Sequence, residues 1–221
     1  MAMSTALYEQ LLATTTGLLL LTAVLQVWRR SLRRAIGLLA IQGAALAGLA
    51  LTVGLQAGEP EAALVAALVL VVKSIAMPWA MLRTADLIGE RRERGASVGT
   101  AVELLGAAAL TLVAYAVSDP LMGASPDAAA RAVPVGLSLV LLGFWQLLTR
   151  RSAVTQLVGF LLLDNGIAAI AFLTSGGLPI VIELGVSLDV LLVVLILGVL
   201  VVRMQRVQGH TDITELKELH D

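Results

Sequence analysis

Residues 157–173 read LVGFLLLDNGIAAIAFL. As a helix this stretch nearly crosses a lipid bilayer, whose ~30 Å hydrocarbon core needs about 20 apolar residues. Yet Asp164 and Asn165 stand in its middle. A carboxylate placed in oil is costly, so one short segment raises the question of the fold and that of the function together.

The composition around it answers the first. Of 221 residues, 58% are hydrophobic and 14% charged, where a soluble domain carries roughly a quarter charged. Such a chain lacks the polar surface to cover itself. Its net charge of −1 and the absence of a basic patch interleaved with aromatics exclude a nucleic-acid partner. Cysteine is absent, which removes disulfides, thiolate-held iron–sulfur clusters and cysteine zinc sites. The two histidines, His210 and His220, fall in the C-terminal tail and leave little for a metal site.

Seven apolar runs can be marked, at about 8–28, 35–55, 61–82, 98–118, 134–150, 153–173 and 179–203. They are continuous rather than alternating, which selects helices over a barrel. The predicted fold is therefore all-α: a polytopic membrane helix bundle of about seven spans, with the lipid bilayer as its surroundings. Arg29, Arg30, Arg33 and Arg34 follow span 1; Arg83, Arg91, Arg92 and Arg94 follow span 3. Arg150 and Arg151 follow span 5, and Arg203 and Arg206 follow span 7. The alternate loops are acidic or neutral apart from Arg131. This bias predicts the N-terminus outside and the C-terminus in the cytoplasm. Trp28, Trp79 and Trp145 fall toward the same cytoplasmic ends. The first eight residues carry no Lys or Arg, which argues against a cleaved signal peptide. The polar tail, 209–221, is expected in the cytoplasm, either frayed or forming a helical turn or two behind Asp212.

At ~1.5 Å per residue, Lys73 in span 3, Asp164 in span 6 and Asp189 in span 7 all lie roughly 15–18 Å deep. A lone ion at that depth costs about 2.5–3.5 kcal/mol or more. Three at one depth are expected to face the bundle interior and to serve as a proton relay. Pro78, five residues after Lys73, removes a backbone donor and leaves the carbonyl of Ser74 without its helix partner. Asn165 and Gly166 offer a hydrogen-bonding side chain and close backbone approach beside Asp164. Glu103 in span 4 and Glu183 in span 7 lie nearer the ends, where a charged head reaches water by snorkelling; Glu103 remains a weaker relay candidate. The plainer alternative is a static ion pair between Lys73 and either Asp that fixes helix register. The small-residue stretches at 43–54 and 104–110 are predicted as helix-packing surfaces.

The second half resembles the three-span subunit K of respiratory complex I and component C of Mrp-type antiporters. The likeness rests on Arg150-Arg151 joining two spans, on LVGFLLLDNG, and on VSLDVLLVVLILGVLVVRMQR followed by DITELKEL. Those families carry a Glu in each of the last two spans. The aligned positions here are Leu161 and Leu192, with the acids three residues later at Asp164 and three earlier at Asp189, which keeps the helix face. The whole chain resembles component E of hydrogenase-4, through Asp164-Asn165-Gly166, Asp189 and Lys73…Pro78 in that order. This likeness implies a four-span extension at 1–133, a subunit-K-like part at 134–208 and the tail at 209–221.

The resemblance further implies a non-catalytic subunit of an energy-converting redox complex in the bacterial cytoplasmic (inner) membrane. No cofactor or metal is expected in this chain; nickel–iron and iron–sulfur centres would reside in partner subunits. The implied partners are antiporter-like and anchor subunits of the membrane arm and a peripheral redox module. In that setting Asp164 and Asp189 would carry protons (or sodium) in succession, with Lys73 as the responsive charge. The alternatives are a scaffold subunit that moves no ion and a subunit of an Mrp-type cation/proton antiporter.

Overall fold

The computed structural model describes residues 3–28, 31–88, 99–123, 127–150 and 153–175. The expected seventh span, with Asp189 and Glu183, and the tail at 209–221 lie outside the described residues. Among the described residues there are helices and no strands: α1 Thr5–Trp28, α2 Leu32–Ala57, α3 Ala62–Val69, α4 Met77–Ile88, α5 Thr100–Gly123, α6 Ala128–Thr149 and α7 Ala153–Ser175. A π-helical segment, Leu70–Ala76, joins α3 to α4 without a break, so these three make one span. Six spans long and apolar enough to cross a membrane result among the described residues. This is a membrane protein. With no water in the hydrocarbon, each segment has to satisfy its own backbone, and a Leu/Ala/Val-rich helix does so. Polar side chains follow the same rule: Thr14, Thr16 and Thr22 of α1 each donate to the carbonyl four residues back, at 2.7–2.8 Å.

The fifth span differs from its expected start at 134. It begins at Ala128, because the Asp127 carboxylate caps it by accepting from the Ala129 N–H at 3.3 Å. Arg131 is therefore inside the helix rather than ahead of it, and Pro134 lies within it instead of at its start.

Cross-links gather the arginine-bearing ends of the helices at one end of the bundle. Arg33 at the start of α2 pairs with Asp86 at the end of α4, and Arg150 after α6 reaches the Val27 carbonyl at the end of α1. Arg83 stacks on Trp79 with 5.4 Å to the ring centroid. The opposite end presents Thr5, Gln56, Asp127 and Thr174 around a cleft of about 580 Å³ that also takes in Glu9 and Arg131.

α2 is the central helix, packed against α1, α3, the π segment, α4 and α7. The tightest pair is α6 with α7, joined along four glycines. A Cβ at Gly143 would lie 2.6 Å from the Leu163 nitrogen, and one at Gly166 2.7 Å from the Val140 nitrogen. A Cβ at Gly136 would meet Ile170 at 2.7 Å and one at Gly159 would meet Gln146 at 2.9 Å. Each helix supplies two glycines seven residues apart, which puts them on one face. Two backbones touch along this seam, the small-residue packing that substitutes for a hydrophobic drive inside lipid. Replacing Gly143 by Leu is expected to destabilise the fold by about 1–3 kcal/mol or more. Gly17→Leu, where a Cβ meets nothing within 4 Å, is expected to stay within about 0.5 kcal/mol. Thermal unfolding of both variants in detergent checks this, and equal melting would remove the seam from the account.

Candidate functional site

The site starts from a break in helical register. Over Leu70–Ala76 the backbone widens to i→i+5 bonding, and the Met77 N–H donates to the Val72 carbonyl. The next donor in that pattern would be residue 78, a proline with no N–H, so the π register stops there. Pro78 thus withholds one donor from the carbonyls of this segment. π segments are uncommon and concentrate at functional positions. This one places Lys73 at the middle of its span.

Two features of α2 hold the segment. A Cβ at Gly43 would fall 2.6 Å from the Lys73 carbonyl carbon, so α2 can lie against the lysine backbone only because residue 43 is glycine. Beside it the Ser74 hydroxyl donates to the Ala40 carbonyl at 2.7 Å.

From here the lysine crosses to α7. Lys73 Nζ donates to Asp164 Oδ2 at 2.7 Å, with the two side chains 1% and 9% exposed. Asp164 is at the midpoint of the span Val154–Thr174. Of the two aspartates the sequence offered Lys73, Asp164 is the partner; Asp189 lies outside the described residues. The adjacent Asn165 turns to α2 and donates from Nδ2 to Gln42 Oε1 at 3.0 Å. Gln42 in turn donates from Nε2 to the Leu19 carbonyl of α1 at 3.3 Å. A charge pair and an amide pair at neighbouring positions of α7 therefore tie three spans together at one depth.

Glu103 belongs elsewhere. It lies in the first turn of α5, and instead of snorkelling to water it is 1% exposed and faces Arg150, Oε1 to Nη1 at 3.6 Å. Arg150 caps the end of α6 and donates from Nη2 to the Val27 carbonyl at 2.6 Å. An arginine read from sequence as a loop charge is thus a buried one. Among the described residues there are two buried ion pairs, one at mid-depth and one at the arginine-rich end.

Gln42, Gln26 and the hydroxyl of Ser74 leave no mark on a pattern of charges, because they carry none. Their signal was nonetheless present: an amide inside a run such as LLAIQGAALAGLA needs a partner as surely as a carboxylate does. Among the described residues no three His, Asp or Glu side chains gather in a way that could hold a metal ion.

No family model and no solved structure matches the chain. Among curated proteins, it is 25% identical over 203 residues to hydrogenase-4 component E of Escherichia coli (strain K12), covering 92% of this chain and 94% of that protein. Hydrogenase-4 component E of Shigella flexneri matches to the same extent. A nearer relative is uncharacterized protein Rv0085 of Mycobacterium tuberculosis, 42% identical over 220 residues, covering 99% of this chain and all of the relative. On that full-length likeness, the chain belongs to the family of the mycobacterial protein Rv0085.

Proposed function

We propose that this protein is a non-catalytic membrane subunit of an energy-converting redox complex in the bacterial cytoplasmic membrane, and that the Lys73–Asp164 pair moves protons within it. The observation that carries the reading is that pair, buried at mid-depth on a π segment. The likeness to hydrogenase-4 component E along nearly the whole of both chains supports the setting. In this reading nickel–iron and iron–sulfur centres reside in partner subunits. Antiporter-like and anchor subunits flank the chain in the membrane, and a peripheral redox module drives it. Asp189 takes the place of the second carrier.

The chemistry follows from the contact. Two unit charges about 4 Å apart interact by ~4 kcal/mol at an effective dielectric of about 20. A proton arriving on Asp164 removes that attraction and releases the ammonium of Lys73 to give up its own proton. One group gains a proton as the other loses one, and no net charge stays behind in the hydrocarbon. The ammonium already fills the carboxylate's front, where a sodium ion would need oxygen ligands instead. This favours protons as the ion moved.

A second reading, the scaffold subunit, draws support from the same burial: a sealed pair also pins helices. Two measurements separate them. In membranes holding the assembled complex, Asp164→Asn is expected to abolish redox-driven proton translocation while the subunits still co-purify. Wild-type translocation in that variant would sink the relay. In the isolated protein, Asp164→Leu alone is expected to destabilise by about 3–5 kcal/mol, because it strands Lys73. Lys73→Met combined with Asp164→Leu is expected to recover most of that loss in a thermal unfolding series. A double variant no more stable than the single one would show that the pair is not the partnership described.

A further inference from the structure

The two buried ion pairs are not isolated from one another. The Leu19 carbonyl, which accepts from Gln42, also accepts from the Thr22 hydroxyl at 2.9 Å. One turn further along α1 stands Gln26, whose Nε2 donates to the Ala35 carbonyl of α2 at 3.2 Å. Thr22 and Gln26 are both buried, and their spacing puts them on the same face as Leu19. The residue after Gln26 is Val27, the carbonyl held by Arg150, which faces Glu103. A polar row therefore runs from Asp164 and Asn165, through Gln42, Thr22 and Gln26, to Arg150 and Glu103. Along α1 it reaches from Leu19 to Val27, about 12 Å at ~1.5 Å per residue.

The row is unfinished on the side of Glu103. Gln26 Oε1, Gln146 Nε2 and Trp145 Nε1 are buried and have no hydrogen-bond partner among the described residues. Their residues lie at one level of the bundle. Gln26 precedes the Val27 carbonyl that Arg150 holds. Gln146 is one turn before Arg150 on α6, and its carbonyl accepts the Arg150 N–H. The Trp145 ring lies over Gly106, one turn from Glu103 on α5. A buried amide or indole N–H without a protein partner binds water as a rule, and internal waters take about three such bonds each. Donors and an acceptor without protein partners stand here at the level of a charged pair. Between them water can be held from several sides, which a dry apolar core does not permit.

We propose that this end of the bundle holds a chain of internal water molecules between Glu103 and the Gln42–Asn165 amide pair, and that Glu103 is the carboxylate through which protons from the arginine-rich side reach Lys73–Asp164. The second half rests on the relay reading; the first does not. The amides orient the water but do not release protons themselves. Proton passage falls to the waters and the Thr22 hydroxyl, and Glu103 takes up a proton from the outer water and returns one to the inner water, unchanged at the end of each passage.

The absence of cysteine from the chain makes a direct test possible, since any single introduced thiol reports alone. Gln26→Cys, Gln146→Cys and Thr22→Cys are compared with Leu139→Cys and Leu142→Cys, whose parent side chains are 0% exposed. The full chain is reconstituted in lipid vesicles and exposed to a small hydrophilic methanethiosulfonate. A thiol reacts as thiolate, which dry apolar surroundings suppress. The row positions are expected to react at least about tenfold faster than the leucine positions. Equal rates at Gln26→Cys and Gln146→Cys and the controls would overturn the water chain, and Thr22→Cys decides the matter if either glutamine variant fails to fold. For the second half, Glu103→Gln in the assembled complex is expected to slow proton translocation about tenfold or more, with thiol reactivity at position 26 retained. Wild-type translocation in Glu103→Gln would remove Glu103 from the path. Labelling needs neither partner nor turnover, so failure of the relay at Asp164 leaves the labelling result standing and the two failures are told apart.

Discussion

A charge at the centre of a bilayer requires a counter-charge within reach, and in this protein the requirement is met by Lys73 and Asp164 at 2.7 Å. The two stand on helices far apart in sequence, so their meeting fixes how the chain folds back on itself. For the ammonium to arrive at α7, the span carrying it has to pass close to α2, and that passage is set by Gly43 and by the Ser74 hydroxyl on the Ala40 carbonyl. For the carboxylate to wait there, α7 has to be held at a defined height, which the Asn165–Gln42 amide pair does. Removing any one of these contacts leaves a buried charge without its setting.

Polarity inside the bundle is organised rather than scattered. α1 contributes hydroxyls, an amide and backbone carbonyls from its inner face, and α2 contributes Gln42 and the carbonyls of Ala35 and Ala40. The Glu103–Arg150 pair closes the arrangement at the end where the arginine-bearing termini meet. Among the described residues the buried apolar side chains around it form two clusters. One is built on α1, α2, α6 and α7; the other joins the start of α2 to α4 and the first half of α7. The charged pair lies where the two clusters adjoin. Two greasy cores with a polar layer between them differ in kind from one continuous core.

The membrane bundle was legible in the sequence because lipid imposes length and apolarity on each span separately, and no neighbour is needed to read them. The depth of Lys73 and Asp164 could be counted along their own spans in the same way. Which acid Lys73 meets could not, because that is a relation between helices. Glu103 shows the limit clearly. Its distance from a span end suggested water, but a neighbouring span brings Arg150 over it, and sequence distance says nothing of that. Pro78 signalled a backbone disturbance beside Lys73, but not that it takes the form of a π segment over Leu70–Ala76. Asp127 was an N-cap in plain view, masked by Arg131, which reads as a loop charge until the helix is seen to contain it. Gln42 was passed over since an amide adds nothing to a charge count, although its desolvation cost is of the same kind.

The glycine seam between α6 and α7 has a mechanical meaning. Where backbone lies on backbone, neither helix can rotate or slide without collision, so the two behave as a single stiff plate and Asp164 is mounted on it. Lys73, by contrast, stands on a π turn whose hydrogen-bond ladder is cut short at a proline. Compliance is therefore unequal across the 2.7 Å contact: any displacement that separates the partners is taken up on the lysine's helix, while the carboxylate stays where the plate keeps it.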